Sequence, residues 1–480
     1  MASTTKSQLI GRISLRAKCI LLLALFTVLS LSFILGGAFL NSCQINRDDS
    51  NVHVLRTVNP TNGNDMEEEN PLEFMRSKKV ILISHELTLS GGPLLLMELA
   101  FLLRVVDAKV VWITNQHTDE KNKVTHSLVH KMLDRGVQVS YPRTKEALDA
   151  TLKSDLIILN TAVSGKWLDN ILQENGQGIL PKVLWWIHEM RGHYCSLDYV
   201  KNLPSVAGTM IDSHISADFW KNRTHNRLGL TMPQTSVVHL GNSKELMEVA
   251  EDSVAKRILR QHIRGSLGIQ HDDLLFSIIN SVSRGKGQHY FLRAFIESLQ
   301  LIKERNLKVP KMYAAVVGSD FNAQFKFEME LRDIVSENGL QDVVHFVNKS
   351  LTVVPYLAAT DILIQNSQGR GECFGRITIE AMAFQVPVLG TAAGGTTEIV
   401  VDGVTGMLHP EGKNGVSVLA ENIIKLATQA ETRLNMGRNG YNRVKEMFLE
   451  KHMAQRIGDV LKSILQNSKT SQTSTKNFEK

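Results

Sequence analysis

Cysteine is scarce in this sequence. The 480 residues hold four, Cys19, Cys43, Cys195 and Cys373, and no Cys-x-x-Cys pair, which excludes a zinc ribbon and a thioredoxin-like redox motif. Cys195 and Cys373 read as buried free thiols, with a disulfide in an oxidising lumen as the alternative. Repeats at solenoid spacing are absent. So is a strong net charge. The balance is +6, and Lys6, Arg12, Arg16 and Lys18 carry four of those charges within 18 residues that contain no acid. The rest of the chain is left near +2. The sequence pI of about 9.0 therefore gives no support to nucleic-acid binding.

What is present is enough apolar content, 43%, for two α/β domains of ordinary size. Residues 19–40 form a run of 22 without a charge, long enough to span a bilayer as a helix. Basic residues 1–18 precede it and Asp48 and Asp49 follow. The positive-inside rule then predicts a signal anchor with a cytosolic tail and the bulk of the chain across the membrane. The small residues Gly36-Gly37-Ala38 also fit a cleaved signal peptide, the competing reading. Residues 41–77 are polar, with the acid run Glu67-Glu68-Glu69, and read as a flexible stem.

Beyond the stem, continuous apolar runs alternate with amphipathic stretches. Residues 79–85, 109–115, 137–141, 155–160 and 183–188 read as strands buried on both faces of a parallel sheet. A helix is predicted over 93–106, and 212–219 and 237–241 complete the set. The alternation predicts a doubly wound domain over 78–243. A charged helical stretch at 245–267 leads to a second alternation. It has strands at 274–280, 312–318, 343–347, 361–365 and 386–390, and helices at 290–305, 325–338 and 375–384. This is a second Rossmann-like domain, 244–440. Residues 441–466 read as helical. Residues 467–480, rich in Ser, Thr and Lys, read as a disordered tail.

The chain is organised around one stretch after the predicted strand 361–365. Three glycines, Gly369, Gly371 and Gly375, let the backbone approach a ligand closely. A helix then begins, and its free N–H groups suit a phosphate. Glu372 lies in the loop and Glu380 in the second helical turn, so both can face one cleft at the strand's end. The order strand, Gly-rich loop, Glu372, helix, Glu380, strand and Gly394-Gly395-Thr396-Thr397-Glu398 resembles the donor site of retaining glycosyltransferases of the GT-B fold, family 4. The likeness runs over roughly 274–409, more loosely from residue 80.

That resemblance implies two doubly wound Rossmann-like domains facing across a cleft, with a terminal helix returning to the first. It implies a donor that is a UDP- or GDP-sugar, an acceptor that is a glycan, protein or lipid, and no other cofactor. Arg284 and Lys286, after a strand, resemble the family's diphosphate-binding pair, although they stand two apart where the family spaces them about five apart. Glu380 is expected on the ribose, and Glu372 on the transferred sugar. Gly394, Gly395 and Thr396 are expected beside them, and Val347 near the nucleotide base. His188, at the end of a strand, resembles the family's sugar-contacting histidine, with Glu372 one of two residues expected at the reacting centre. Gly91 and Gly92, in Ser90-Gly91-Gly92-Pro93, resemble its first glycine loop. Retention comes from the family alone and requires no enzyme nucleophile. No Asp-x-Asp triplet occurs, in keeping with a metal-independent enzyme. The sequons Asn222-Arg223-Thr224 and Asn348-Lys349-Ser350 place a glycan on Asn222, whereas one on Asn348 would obstruct the cleft. A Golgi-membrane glycosyltransferase is the leading reading. A non-catalytic GT-B binding protein, or an epimerase or phosphorylase of the same fold, are the alternatives.

Overall fold

Period-2 burial along the strands builds the core. Val80 and Leu82 point into one apolar cluster and Ile81 and Ile83 into another, because successive strand residues face opposite sides. The computed structural model describes residues 69–116, 123–174, 177–350 and 352–478. The expected membrane helix at 19–40 lies outside them, and among the described residues no helix is long and apolar enough to cross a membrane.

The first domain holds β1 (Lys79–Ser84), β2 (Lys109–Thr114), β3 (Gln138–Ser140), β4 (Leu156–Asn160), β5 (Val183–Ile187), β6 (Gly208–Ile211) and β7 (Thr235–Val237). They form one sheet in the order β3-β2-β1-β4-β5-β6-β7, paired in parallel throughout. The second holds β8 (Leu274–Ile279), β9 (Met312–Ser319), β10 (Val344–Asn348), β11 (Ile362–Gln365), β12 (Val388–Thr391) and β13 (Gly406–His409). Their order is β10-β9-β8-β11-β12-β13, again parallel. Both sheets reverse their winding between the first and fourth strands, the point where doubly wound folds bind ligands at the strands' carboxyl ends. Leu82 and Trp186 of the first sheet and Leu275 and Leu363 of the second share one continuous apolar cluster.

The helices that position the site are α1 (Gly91–Val105), α2 (His214–Arg223), α3 (Ser253–Ser266), α4 (Gln288–Glu304), α5 (Arg376–Ala383), α6 (Ala430–Met447) and α7 (Glu450–Phe478). The last packs on the first domain: Arg456 donates to the His239 carbonyl and Ile464 lies against Gly208.

Several boundaries differ from the sequence reading. The sixth strand is β6; the stretch 212–219 leaves it as a turn and enters α2. Four residues with a glycine at their start were too few to show a strand pattern. The same brevity hid β13. The expected stem reaches too far, because Leu72 and Met75 are 1% and 0% exposed within the core; two apolar residues in a polar run carry no period. The expected disordered tail is helical to Phe478, with no Pro or Gly between 467 and 478 to stop it. Cys195 and Cys373 are both buried and free.

Candidate active site

The carboxyl ends of both sheets converge on a pocket of about 280 Å³. Hollows of about 710 and 790 Å³ lie elsewhere; size does not mark the site, convergence of strand ends does. Gly91 and Gly92 bring the first turn of α1 to it, His188 and Glu189 the end of β5, and Asp212 the end of β6. From the other domain come Lys286, Gly371, Glu372 and Arg376.

Lys286 is delivered by a tight turn. Residues Arg284–Lys286 make one 3-10 turn and Gly287 closes it at φ 68. A Cβ there would stand 2.1 Å from the Asn366 carbonyl oxygen, so the position requires glycine. The ammonium donates to the Gly371 carbonyl at 2.9 Å and to Glu372 Oε2 at 2.6 Å. The same carboxylate oxygen accepts from Gln365 Nε2 at 3.2 Å and Ser367 Oγ at 3.4 Å. With side chains 15% and 20% exposed, the Lys286–Glu372 pair is screened little by solvent.

His188 is held by Asp212. Its Nδ1 stands 2.9 Å from Asp212 Oδ2, and Trp186 Nε1 donates to Oδ1 at 2.9 Å. Burial of the imidazole opposes its charged form, but the charge and hydrogen bond of Asp212 outweigh it, and the pKa is raised above 6.5. With Nδ1 engaged, Nε2 is buried and has no protein partner, while the ring lines the pocket. A buried unsatisfied nitrogen costs free energy unless a ligand meets it. Glu189 beside it is desolvated, which pushes its pKa up to about 7 against the lowering by His188 and the N–H groups of Ala162 and His188.

The two glutamates do not share the pocket. Glu372 lines it, whereas Glu380 does not. Arg376 Nε lies 3.0 Å from Glu380 Oε1, an ion pair without hydrogen-bond alignment, and its Nη2 lies 2.7 Å from Glu98 Oε1 on α1. This half-buried triad joins the domains. Burial alone would lower the Arg376 pKa, yet the two carboxylates raise it. Arg284 is the clearest correction. Its guanidinium contacts Glu330 at 2.6 and 2.7 Å on the outer surface, 65% exposed. With the single residue Gly285 between them in a 3-10 turn, Arg284 and Lys286 point to different sides. Arg284→Ala is expected to leave any activity of the cleft within about twofold, as surface changes usually do; steady-state rates of the variant check this.

Gly394, Gly395 and Thr396 stand behind the donor loop and do not line the pocket. A Cβ on Gly395 would lie 2.4 Å from Phe374 Cα and 2.5 Å from the Cys373 carbonyl oxygen. These are backbone atoms that cannot yield, so Gly395→Ala is expected to cost about 1–3 kcal/mol as overpacking, read as a lowered denaturation midpoint. Val347 is half-buried in β10 and also lies outside the lining.

The comparisons with known proteins agree with the two-domain fold. Residues 76–255 match the model of "Glycosyl-transferase family 4" and residues 260–443 that of "Glycosyl transferases group 1". The chain thus carries two successive domains, one matching each of these family models. It is similar to D-inositol 3-phosphate glycosyltransferase of Kribbella flavida, 25% identical over 44% of this chain and 46% of that protein. It is also similar to the lipopolysaccharide core biosynthesis mannosyltransferase LpsB of Rhizobium meliloti, 24% identical over 49% and 62%. The chain spans about half the length of the curated relatives it matches. Among solved structures, Anabaena Alr3699/HepE in complex with UDP and glucose covers 80% of this chain and all of its own, with TM-score 0.65 and 19% identity. That likeness establishes the GT-B-like fold of two parallel-sheet domains.

Within this GT-B-like fold, α2 ties the first domain to the glycine-rich loop of the second. Ser213 and Ser216 both donate to the Cys373 carbonyl, next to Glu372. Glu398 accepts the N–H groups of His214 and Ile215 at 3.1 and 2.9 Å and His239 Nε2 at 2.8 Å. Burial resists its ionisation, but these donors lower its pKa below the ordinary carboxylate value. His214, His239 and Glu398 are spaced as a metal-binding trio could be. Both Glu398 oxygens are already engaged, so the trio serves as an interdomain latch. Glu189, Asp212, Arg376 and the Glu398 latch escaped the sequence reading. Asp212 could have been found only by recognising β6; Glu189 is held within the first domain by the N–H groups of Ala162 and His188, while Arg376 and the Glu398 latch depend on contacts between domains.

Proposed function

We propose that the cleft transfers a glycosyl group from a UDP- or GDP-sugar to an acceptor hydroxyl, with retention and without a metal. The observation that carries this reading is the placement of Lys286 in one pocket with the first turn of α1 and the free Nε2 of His188. Departure of the sugar leaves negative charge on a diphosphate, which a fixed ammonium and helix N–H groups stabilise. In a retaining transfer without an enzyme nucleophile, the departing phosphate accepts the acceptor's proton on the same face. Glu372, held by Lys286, Gln365 and Ser367, would orient the sugar hydroxyls. HepE was solved with UDP and glucose, which supports UDP as the nucleotide.

Acceptor entry is best placed at a hollow of about 380 Å³ at the strand ends of the first domain, where His85, Arg143 and Lys166 line the wall. His85 bonds Thr161 at 3.2 Å, and Thr161 packs on Gly92 at the donor pocket. Residues 19–40 supply the membrane anchor in this reading and place the catalytic part in the Golgi lumen, which carbonate extraction and protease protection of the tagged chain test.

Incubating the full chain with a panel of nucleotide sugars, with and without a chelator, tests the reaction. Turnover that survives the chelator and yields a product of unchanged anomeric configuration is the expected result. Loss on chelation, or inversion, overturns that part of the reading. The outward Arg284 and the Arg376–Glu380 pair favour a second reading, a GT-B protein that binds nucleotide sugars without transfer. Binding in a thermal-shift screen with no turnover of any donor would select it.

A further inference from the structure

The second domain carries a cavity on the side away from the cleft. It opens at the amino ends of the strands: Asp361 immediately precedes β11 and Pro387 precedes β12, and both line it. Its volume is about 710 Å³, within the range of sites for small organic ligands. Helices α3 and α6 supply its charge. Lys256, Arg257, Arg260, Arg264, Arg433 and Arg438 all line it, and Asp361 is the single acid in the lining.

That acid is already committed. Asp361 accepts from Arg260 Nη2 at 2.7 Å, from Arg264 Nη1 at 2.9 Å and from the Leu275 N–H at 2.8 Å. One carboxylate cannot neutralise six cations. A solvated basic face would tolerate the excess, but part of this charge is withdrawn from water. Arg264 is 3% exposed; beyond Asp361 it donates to the carbonyls of Ala359, Gln270 and Asp273, while its Nε is buried with no partner. Burial also pushes the Arg433 guanidinium below its usual value, with Asp361 opposing. Desolvated like charges gathered around one hollow are costly until an anion joins them.

The shape narrows the class of anion. Guanidinium forks approach from two helices, a geometry that matches the several oxygens of a phosphate. Leu357, Phe384, Pro387 and Leu434 form an apolar wall beside them, and Leu434 is 58% exposed at the mouth. We propose that this cavity binds a small phosphate ester with an apolar body, at a site separate from the sugar-transfer cleft. The inference does not rest on the reading of the cleft.

Isothermal titration of the full chain with ADP and with inorganic pyrophosphate tests it, in Arg257→Gln/Arg438→Gln and, separately, in Lys286→Ala. Arg257 and Arg438 are exposed, so their loss leaves the core intact. The expected result is an ADP-binding event that persists in Lys286→Ala and weakens about tenfold or more in the arginine double variant, from loss of charge-assisted contacts. Pyrophosphate should bind the same site more weakly, lacking the apolar body. Affinity unchanged in the double variant, binding lost entirely in Lys286→Ala, or no binding of either probe overturns the proposal. Pyrophosphate binding as tightly as ADP overturns the apolar part.

Discussion

Lys286→Ala is expected to lower kcat for sugar transfer by about 10²–10³-fold, the range seen when one fixed stabiliser of developing negative charge is removed. The ammonium is 15% exposed and already desolvated, so no reorganisation is needed when a diphosphate departs. Its loss also strips Glu372 of the closest cation, at 2.6 Å. Lys286→Arg should recover part of the rate, since the charge returns on a side chain of different shape. The test is steady-state kinetics with a competent donor. A rise in KM with kcat unchanged would mean that Lys286 binds ground state and transition state alike; an unchanged kcat/KM would remove it from the chemistry.

Asp212→Asn is the second large effect, and it should depend on pH. In the native fold Asp212 raises the His188 pKa above 6.5. The sign follows: the stabilisation from the charged pair is complete below 6.5, the unfolded value, and is lost as pH rises through the higher folded value. With asparagine in place, burial acts on the imidazole opposed only by the Glu189 charge, and the pKa falls. Nε2 then loses its proton at a lower pH, and with it the hydrogen bond it can donate into the pocket. The expected result is a kcat/KM about 10²-fold lower near pH 7.5, in line with loss of a positioned proton donor, and partial recovery near pH 5.5. Glu189, whose pKa is about 7, titrates in the same window, so Glu189→Gln serves as the control. A mutant-to-wild-type ratio that is flat across pH would show that Asp212 only props the ring.

The legible parts of the site were those where one local rule suffices. His188 closes a fully buried apolar strand, so its emergence at the carboxyl end could be foreseen. Gly91 and Gly92 stand at a strand-to-helix junction, and the structure starts α1 on them. Lys286 and Glu372 follow strands in the same way. The parts that failed depend on rotation about a turn or on a neighbour distant in sequence. Nothing at Arg284 signals that it will face Glu330, 46 positions away. Arg376 stands one helical turn before Glu380, a spacing that could have been read, but nothing in the sequence signals that it also reaches Glu98 in the other domain.

The amino-acid order alone determined the class of fold, two strand–helix alternations, because buried parallel strands must be continuous apolar runs and their glycine-rich exits must be polar. It also determined which strand ends would line the pocket between the sheets. Which charged groups meet in the pocket was decided only when the two sheets came to face each other. The Arg376–Glu98 ion pair and the Glu398 latch are relations between groups of separate domains, while His188–Asp212 and Lys286–Glu372 join segments distant in sequence within one domain; all are set by distances of a few ångströms that no local pattern encodes.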